Sequence, residues 1–213
     1  AELPKDIPLI GFGGAPFTLA SYAIEGKGSR NYVFVKQMMY GDAGAWHGLM
    51  EKITDTVIDY MNYQIDSGVQ AVQLFDSWVG TLSPSDYREY VMPHSQRMMK
   101  EITGRVPVIH FGTGNPALAP LMAEAGGDVL ALDWRTPLLE TWNATGVKSV
   151  QGNMDPIILC ADKASVKRKA KEVLDEVDGR PGHIFNLGHG IIPETPVENV
   201  KALVDFVHEY SAR

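Results

Sequence analysis

Trp46 to Trp78 reads WHGLMEKITDTVIDYMNYQIDSGVQAVQLFDSW and holds, back to back, the two patterns from which the fold follows. Leu49, Met50, Ile53, Val57, Met61 and Ile65 recur at three- and four-residue spacing and stop at Gly68. That is the signature of an amphipathic helix closed by a glycine. The period then changes. Ala71-Val72-Gln73-Leu74-Phe75 is short and almost continuously apolar, as a strand covered on both faces must be. Asp76-Ser77-Trp78 follows at once, so polar side chains stand at that strand's C-terminal end.

The same alternation extends in both directions. Five further strands are predicted at 8–12, 107–111, 128–133, 148–152 and 183–187. Helices are predicted from Ser83-Pro84-Ser85 through Met98, from Pro116 to Ala125, from Thr136-Pro137 through Trp142, from a Ser165 cap through Leu174, and from Pro196 through Val207. An insertion after the first strand carries a short helix, a Gly-rich turn at Glu25 to Arg30 and a helix at Tyr32 to Tyr40. Short strands alternating with helices are the pattern of βα units and a parallel sheet. With no tandem repeat, low-complexity tract or long linker, residues 1–213 read as one domain.

Composition narrows the function. A net charge of −7 over 213 residues lacks the basic stripe of a nucleic-acid binder. It leaves room for an anionic small molecule met by a few arginines in a cleft. One cysteine, Cys160, permits no internal disulfide and no multi-cysteine metal site. It lies in an apolar helical segment and reads as a small buried hydrophobe. No apolar run approaches the roughly 18 residues of a membrane-spanning helix, and the start does not resemble a secretory signal. A reducing cytoplasmic compartment is expected.

In parallel α/β folds, loops at the C-terminal strand ends converge on one cleft, so polar residues there read as site residues. Here they include Asp76-Ser77-Trp78, His110, Asp133-Trp134-Arg135, Asn153-Met154-Asp155 and Asn186-Leu187-Gly188-His189-Gly190. His189, between two glycines, reads as a site residue rather than core filling. Ser77 lacks the Gly-x-Ser-x-Gly elbow, so it reads as a hydrogen-bond donor rather than a nucleophile. Asp133 and Asp155 are open between acid–base work and helix capping. Gly11-x-Gly13-Gly14 is a poor dinucleotide fingerprint and reads as a tight turn with close packing. From pattern alone, Tyr22 reads as core packing.

Gly11-Phe12-Gly13-Gly14-Ala15-Pro16-Phe17-Thr18-Leu19-Ala20-Ser21-Tyr22 and Gln73-Leu74-Phe75-Asp76-Ser77 resemble the uroporphyrinogen decarboxylase family. So do Leu132-Asp133-Trp134, Gln151-Gly152-Asn153-Met154-Asp155-Pro156 and Asn186-Leu187-Gly188-His189-Gly190, in the same order along the whole chain. The resemblance implies a (β/α)8 (TIM) barrel enzyme of tetrapyrrole biosynthesis, haem and chlorophyll alike. Such a lyase takes the small molecule uroporphyrinogen III to coproporphyrinogen III by removing four acetate carboxyls, with no metal or organic cofactor. It also implies substrate contacts at Tyr22, Ser77 and His189, with Phe75 lining the same cavity, and a homodimer with neither nucleic acid nor membrane as partner.

The resemblance also sets out what is not expected. The family's substrate-binding arginine pair and its pyrrole-binding aspartate lie in an N-terminal segment that the matched motifs do not include. No catalytic residue is therefore assigned, Asp76, Asp133 and Asp155 are not taken as substitutes, and Arg30 and Arg135 are auxiliary cations at most. A complete eight-fold barrel typically needs about 250 residues, so the six strands are expected to be the last six of eight. The chain, which does not begin with Met, is expected to be cut or trimmed from a longer one and weak or inactive alone. Two rivals remain. A zinc- or corrinoid-type methyltransferase of the same fold would need a His-x-Cys pair where this chain has His110-Phe111-Gly112. A non-catalytic fragment that binds porphyrinogens or a partner is the other.

Overall fold

The computed structural model describes all residues except 1, 2, 5, 103 and 213. They form two compact units, Ala1–Leu130 and Ala131–Arg213. In the first, β1 (Ile10–Gly14), β2 (Ala71–Asp76) and β3 (Val108–Gly112) pair in parallel, β1 with β2 and β2 with β3. Helices α1 (Pro16–Glu25), α2 (Val33–Gly41) and α3 (Ala43–Asp66) run between β1 and β2. Between β2 and β3 come a 3-10 turn (Val79–Thr81), α4 (Pro84–Asp86), a π turn (Tyr87–Val91) and α5 (Met92–Ile102). After β3 come α6 (Ala119–Ala125) and the short β4 (Val129–Ala131), where the first unit ends in sequence. The second unit holds α7 (Leu138–Thr145), β5 (Ser149–Met154), α8 (Lys163–Val177), β6 (His183–Leu187) and α9 (Val197–Ser211), with β5 and β6 parallel. This is the α/β architecture of the (β/α)8-barrel family, with six strands among the described residues.

Each unit has its own core. In the first, Val57, Met61 and Ile65 of α3 pack with Val72 and Leu74 of β2, Met98, Met99 and Ile102 of α5, and Val108 of β3. In the second, Met154 and Leu159 pack with Val166 and Ala170 of α8 and Leu203 of α9. Each such aliphatic side chain contributes about 1.5–3 kcal/mol by leaving water.

The glycines of β1 lie within the strand rather than in the tight turn expected, and the close packing expected with it is present. A Cβ at Gly13 would lie 2.6 Å from Met61 Cε, and one at Gly14 would lie 2.7 Å from Leu19 Cδ2. Gly11 admits a different neighbour. The Gln64 amide of α3 accepts from the Phe12 backbone N–H at 2.9 Å and donates to the Phe12 carbonyl at 3.0 Å. A Cβ at Gly11 would stand 2.5 Å from Gln64 Oε1.

Several expectations are corrected. The first strand begins two residues later than predicted, because Pro8 cannot donate to a ladder and pairing is established from Ile10. The cap of α8 is Asp162, whose carboxylate accepts from the Ser165 N–H at 3.0 Å while Ser165 Oγ donates back at 2.8 Å. Ser165 thus sits inside the helix it was expected to open. Cys160 is exposed, at the end of a 3-10 turn (Pro156–Cys160) that buries Pro156 and Leu159 instead. Tyr22 is 47% exposed rather than core, because it stands at the margin of the face that α1 buries through Phe17, Thr18, Ala20 and Ser21.

Candidate functional site

The densest polar arrangement of the first unit stands at the end of β2. Asp76, its last residue, is fully buried, and its Oδ1 accepts from Thr18 Oγ1 at 2.9 Å. Thr18 Oγ1 in turn accepts from the Trp78 N–H at 3.3 Å. Tyr22 lies one helical turn beyond Thr18, on the same face of α1. Its ring meets that of Trp78 edge-on, with centroids 5.8 Å apart. Tyr32 approaches Trp78 at 6.0 Å. Helix α1 and the Asp76-Ser77-Trp78 turn are thereby fixed to each other, and half-buried Ser77 is held between anchored neighbours. Phe75, also half-buried, packs edge-on between exposed Phe12 and buried Phe111, at 6.0 and 5.7 Å.

Low polarity governs the electrostatics here. Burial pushes the Asp76 carboxyl up to about 7, against the opposing pull of the Thr18 hydrogen bond. Its Oδ2, like the buried Tyr87 hydroxyl and Ser95 Oγ, has no hydrogen-bond partner among the described residues. Burial, with Asp76 next, raises the Tyr87 phenol. Burial likewise raises Tyr32, to about 12. On β3, His110 is buried and its Nδ1 faces the Gly126 carbonyl at 3.2 Å, which makes Nδ1–H the donor. Burial lowers the His110 imidazole to about 4, so it is neutral near pH 7.

The second unit gathers a different set. Asp133, 1% exposed, accepts from the Arg135 N–H at 3.0 Å, Arg135 Nη1 at 2.7 Å and Thr136 Oγ1 at 3.2 Å. The Arg135 guanidinium lies 3.9 Å above the Trp134 ring. Asn153 Nδ2, from β5, donates to the carbonyls of Asp133 and Thr136 at 2.9 and 2.7 Å, which holds the turn closed. His189 is exposed, and its ring meets Trp134 edge-on at 6.5 Å. Gly188 permits this approach, since a Cβ there would lie 2.4 Å from the Trp134 backbone nitrogen. Asp155 accepts from the Ile157 N–H at 2.9 Å and caps the 3-10 turn after it. Of its two open readings, capping is the one seen.

Tyr22 thus meets Trp78 beside Asp76 and Ser77, Phe75 packs separately between Phe12 and Phe111, and His189 belongs to the second unit beside Trp134. Arg30 is an exposed loop residue. Sequence reasoning placed Trp78, Trp134 and Asn153 at strand ends and Thr18 in a family motif, but gave none of them a role. The Asp133-Trp134-Arg135-Thr136 run carried a usable signal, because an aspartate two and three residues before its donors forms a local side-chain turn. Gly112, where a methyltransferase of this fold would place cysteine, packs against α6: a Cβ there would meet Met122 Sδ at 2.4 Å. Among the described residues no three of His, Cys, Asp or Glu gather in a metal-binding group. None of the described helices is long and apolar enough to cross a membrane.

Known proteins share this layout. The chain is 55% identical over 210 residues to the uroporphyrinogen decarboxylase of Sorangium cellulosum, covering 97% of this chain and 60% of that protein. It is 54% identical over 214 residues to that of Carboxydothermus hydrogenoformans, covering 99% and 61%. It therefore spans about 60% of the length of these relatives. Among solved structures, a methyltransferase from Methanosarcina mazei superposes with a TM-score of 0.83 at 21% identity, over 98% of this chain and 60% of that one, which is a likeness of fold. The family model described as uroporphyrinogen decarboxylase (URO-D) matches residues 1–210. With that match over nearly its whole length, the chain belongs to the uroporphyrinogen decarboxylase family.

Proposed function

We propose that the chain supplies substrate-binding strand ends of an enzyme that converts uroporphyrinogen III to coproporphyrinogen III. The observation that carries this reading is the Tyr22 ring against that of Trp78 beside Ser77, with Phe75 set between Phe12 and Phe111: aromatic surfaces with hydroxyl groups, suited to a macrocycle of pyrroles bearing carboxylates. Tyr22, Ser77 and His189 contact the substrate and Phe75 lines its cavity. The reaction needs no metal or organic cofactor. A pyrrole protonated on a ring carbon accepts the electron pair of the breaking bond to the leaving carboxylate, so carbon dioxide departs and the ring is its own electron sink. The methylene left behind then takes a proton to become a methyl group, and the ring carbon gives its proton up. The protein holds the anion and stabilises the developing cation.

The three strand-end aspartates are each engaged within the fold. Asp76 is buried on Thr18, Asp133 is held by Arg135 and Thr136, and Asp155 caps a turn. None is therefore offered as the pyrrole-binding carboxylate, and the chain alone is expected to turn over weakly or not at all. Residues 1–213 are read with this as one incomplete barrel domain of a cytoplasmic, homodimeric enzyme. The test is anaerobic incubation with uroporphyrinogen III, products resolved by chromatography, beside a fluorescence titration with uroporphyrin III. Binding with little conversion is expected. Full conversion overturns the weak-activity reading, and failure to bind the porphyrin overturns the substrate reading.

A further inference from the structure

Arg135 stands in the turn that follows β4, and its side chain is held from two sides. Its guanidinium is pinned on one side by Nη1 on Asp133 at 2.7 Å and underneath by the Trp134 ring at 3.9 Å. Asp133 is 1% exposed, whereas the Arg135 side chain is 49% exposed. The pair is therefore a fixed dipole with its negative end buried and its positive end at the surface. Stacking and ion pairing together remove much of the rotamer freedom that an exposed arginine would otherwise lose on binding a ligand. The turn beneath is fixed too, by the double donation of Asn153 Nδ2. The same Trp134 ring meets His189 on its edge, so the pinned cation and His189 share one aromatic platform at the C-terminal strand ends.

Within the fold, Arg135 is the counter-ion of buried Asp133, and a single Nη1 contact makes that pair. Asp133 is already bonded by the Arg135 N–H and by Thr136 Oγ1, and Arg135 contributes one side-chain hydrogen bond more. A planar, preorganised guanidinium with spare N–H groups is suited to a carboxylate, which it binds through parallel hydrogen bonds. We propose that Arg135 is a substrate-binding residue that takes a carboxylate of the porphyrinogen beside His189, with Asp133 and Trp134 as its positioning residues. This rests on the substrate reading above and names one of its anion-binding groups.

The experiment titrates the chain with uroporphyrin III, following porphyrin and tryptophan fluorescence, for the wild type, Arg135→Gln and Arg135→Lys, at low and high salt. Thermal midpoints are recorded alongside. Arg135→Gln is expected to weaken binding about ten-fold, the size of one lost charge-assisted hydrogen bond. The difference should shrink at high salt, as screening requires. Arg135→Lys, which keeps the charge without the fork, is expected to fall between the two. If Arg135→Gln lowers the thermal midpoint, Arg135→Lys at an unchanged midpoint decides: tighter binding than Arg135→Gln supports the role, and equally weak binding overturns it. Wild-type affinity in a folded Arg135→Gln overturns the role of Arg135 and leaves the substrate reading standing. A wild type that does not bind the porphyrin overturns both, and the wild-type arm alone separates that failure from the previous one.

Discussion

Thr18 Oγ1 donates to Asp76 Oδ1 at 2.9 Å, joining the first helix to the last residue of β2 by a hydrogen bond that no solvent reaches. Because Tyr22 follows Thr18 by one turn and Ser77 follows Asp76 directly, this bond sets the spacing of two proposed substrate contacts. Its carboxyl also titrates in an unusual range. Burial raises it from 3.8 to about 7, so between those values the folded protein holds a proton that the unfolded chain has released. Stability contributed by this group is therefore full below the unfolded value and is lost as pH rises through about 7. Asp76→Asn keeps an oxygen for Thr18 and removes the titration. It is expected to raise stability by roughly 4 kcal/mol above pH ~7 and to flatten the decline, measured as urea midpoints at pH ~5 and ~8. A decline equal to that of the wild type would contradict the assignment.

His110 acts with the opposite sign. Burial lowers its imidazole from 6.5 to about 4, so the unfolded chain takes up the proton first on acidification. Its contribution is complete above pH ~6.5 and disappears toward pH ~4, a loss of about 3 kcal/mol. His94, also lowered to about 4 by burial and then by His47, adds to the same trend. His110→Asn can keep a donor to the Gly126 carbonyl and is expected to shrink the acid loss without abolishing it. Thermal midpoints across pH 4–7 would show this, and an unchanged acid limb would refute it.

Tyr22→Phe and His189→Asn test the residues taken over from the family resemblance. Tyr22 is half exposed and its ring rests on Trp78, so removing the hydroxyl leaves the packing intact. Each variant is expected to keep the wild-type melting midpoint while weakening uroporphyrin binding about ten-fold. Unaltered affinity in both would break the transfer of these roles.

Gly188→Ala probes close approach rather than chemistry. Its Cβ would stand 2.4 Å from the Trp134 nitrogen and 3.0 Å from the Asp133 carbonyl carbon, backbone atoms that cannot turn aside. A destabilisation of about 1–3 kcal/mol is expected, together with weaker porphyrin binding, because the turn under Trp134 is displaced. Chemical denaturation checks the first effect and fluorescence titration the second.

Periodicity made the six strands and most helices legible, because a burial pattern repeats locally and is written in consecutive residues. The site was legible only where its chemistry was local. Two glycines single out His189 as a candidate, and Asp155 caps a turn two residues on. Thr18 and Asp76 are 58 positions apart, and nothing in either segment names the other. Cys160 was misjudged because an apolar run was read as wholly buried, whereas a turn of 3-10 helix exposes its last residue. Ser165 was misjudged for a related reason: two capping-type residues stood three apart, and Asp162 took the outer position with Ser165 bonded back to it.

The Gln64 amide on β1 has a consequence for how the chain meets its surroundings. Leu9 and Ala15 bond toward β2, so alternation turns the Phe12 N–H and C=O to the other side of the strand. There Gln64 answers both, as a passing strand would. An unpaired edge ordinarily invites another chain to add itself by backbone pairing, the first step of edge-to-edge aggregation. At Phe12 that invitation is already taken by the chain's own side chain, admitted through the gap that Gly11 leaves. What Phe12 offers a neighbour is its ring, 63% exposed, and not its backbone.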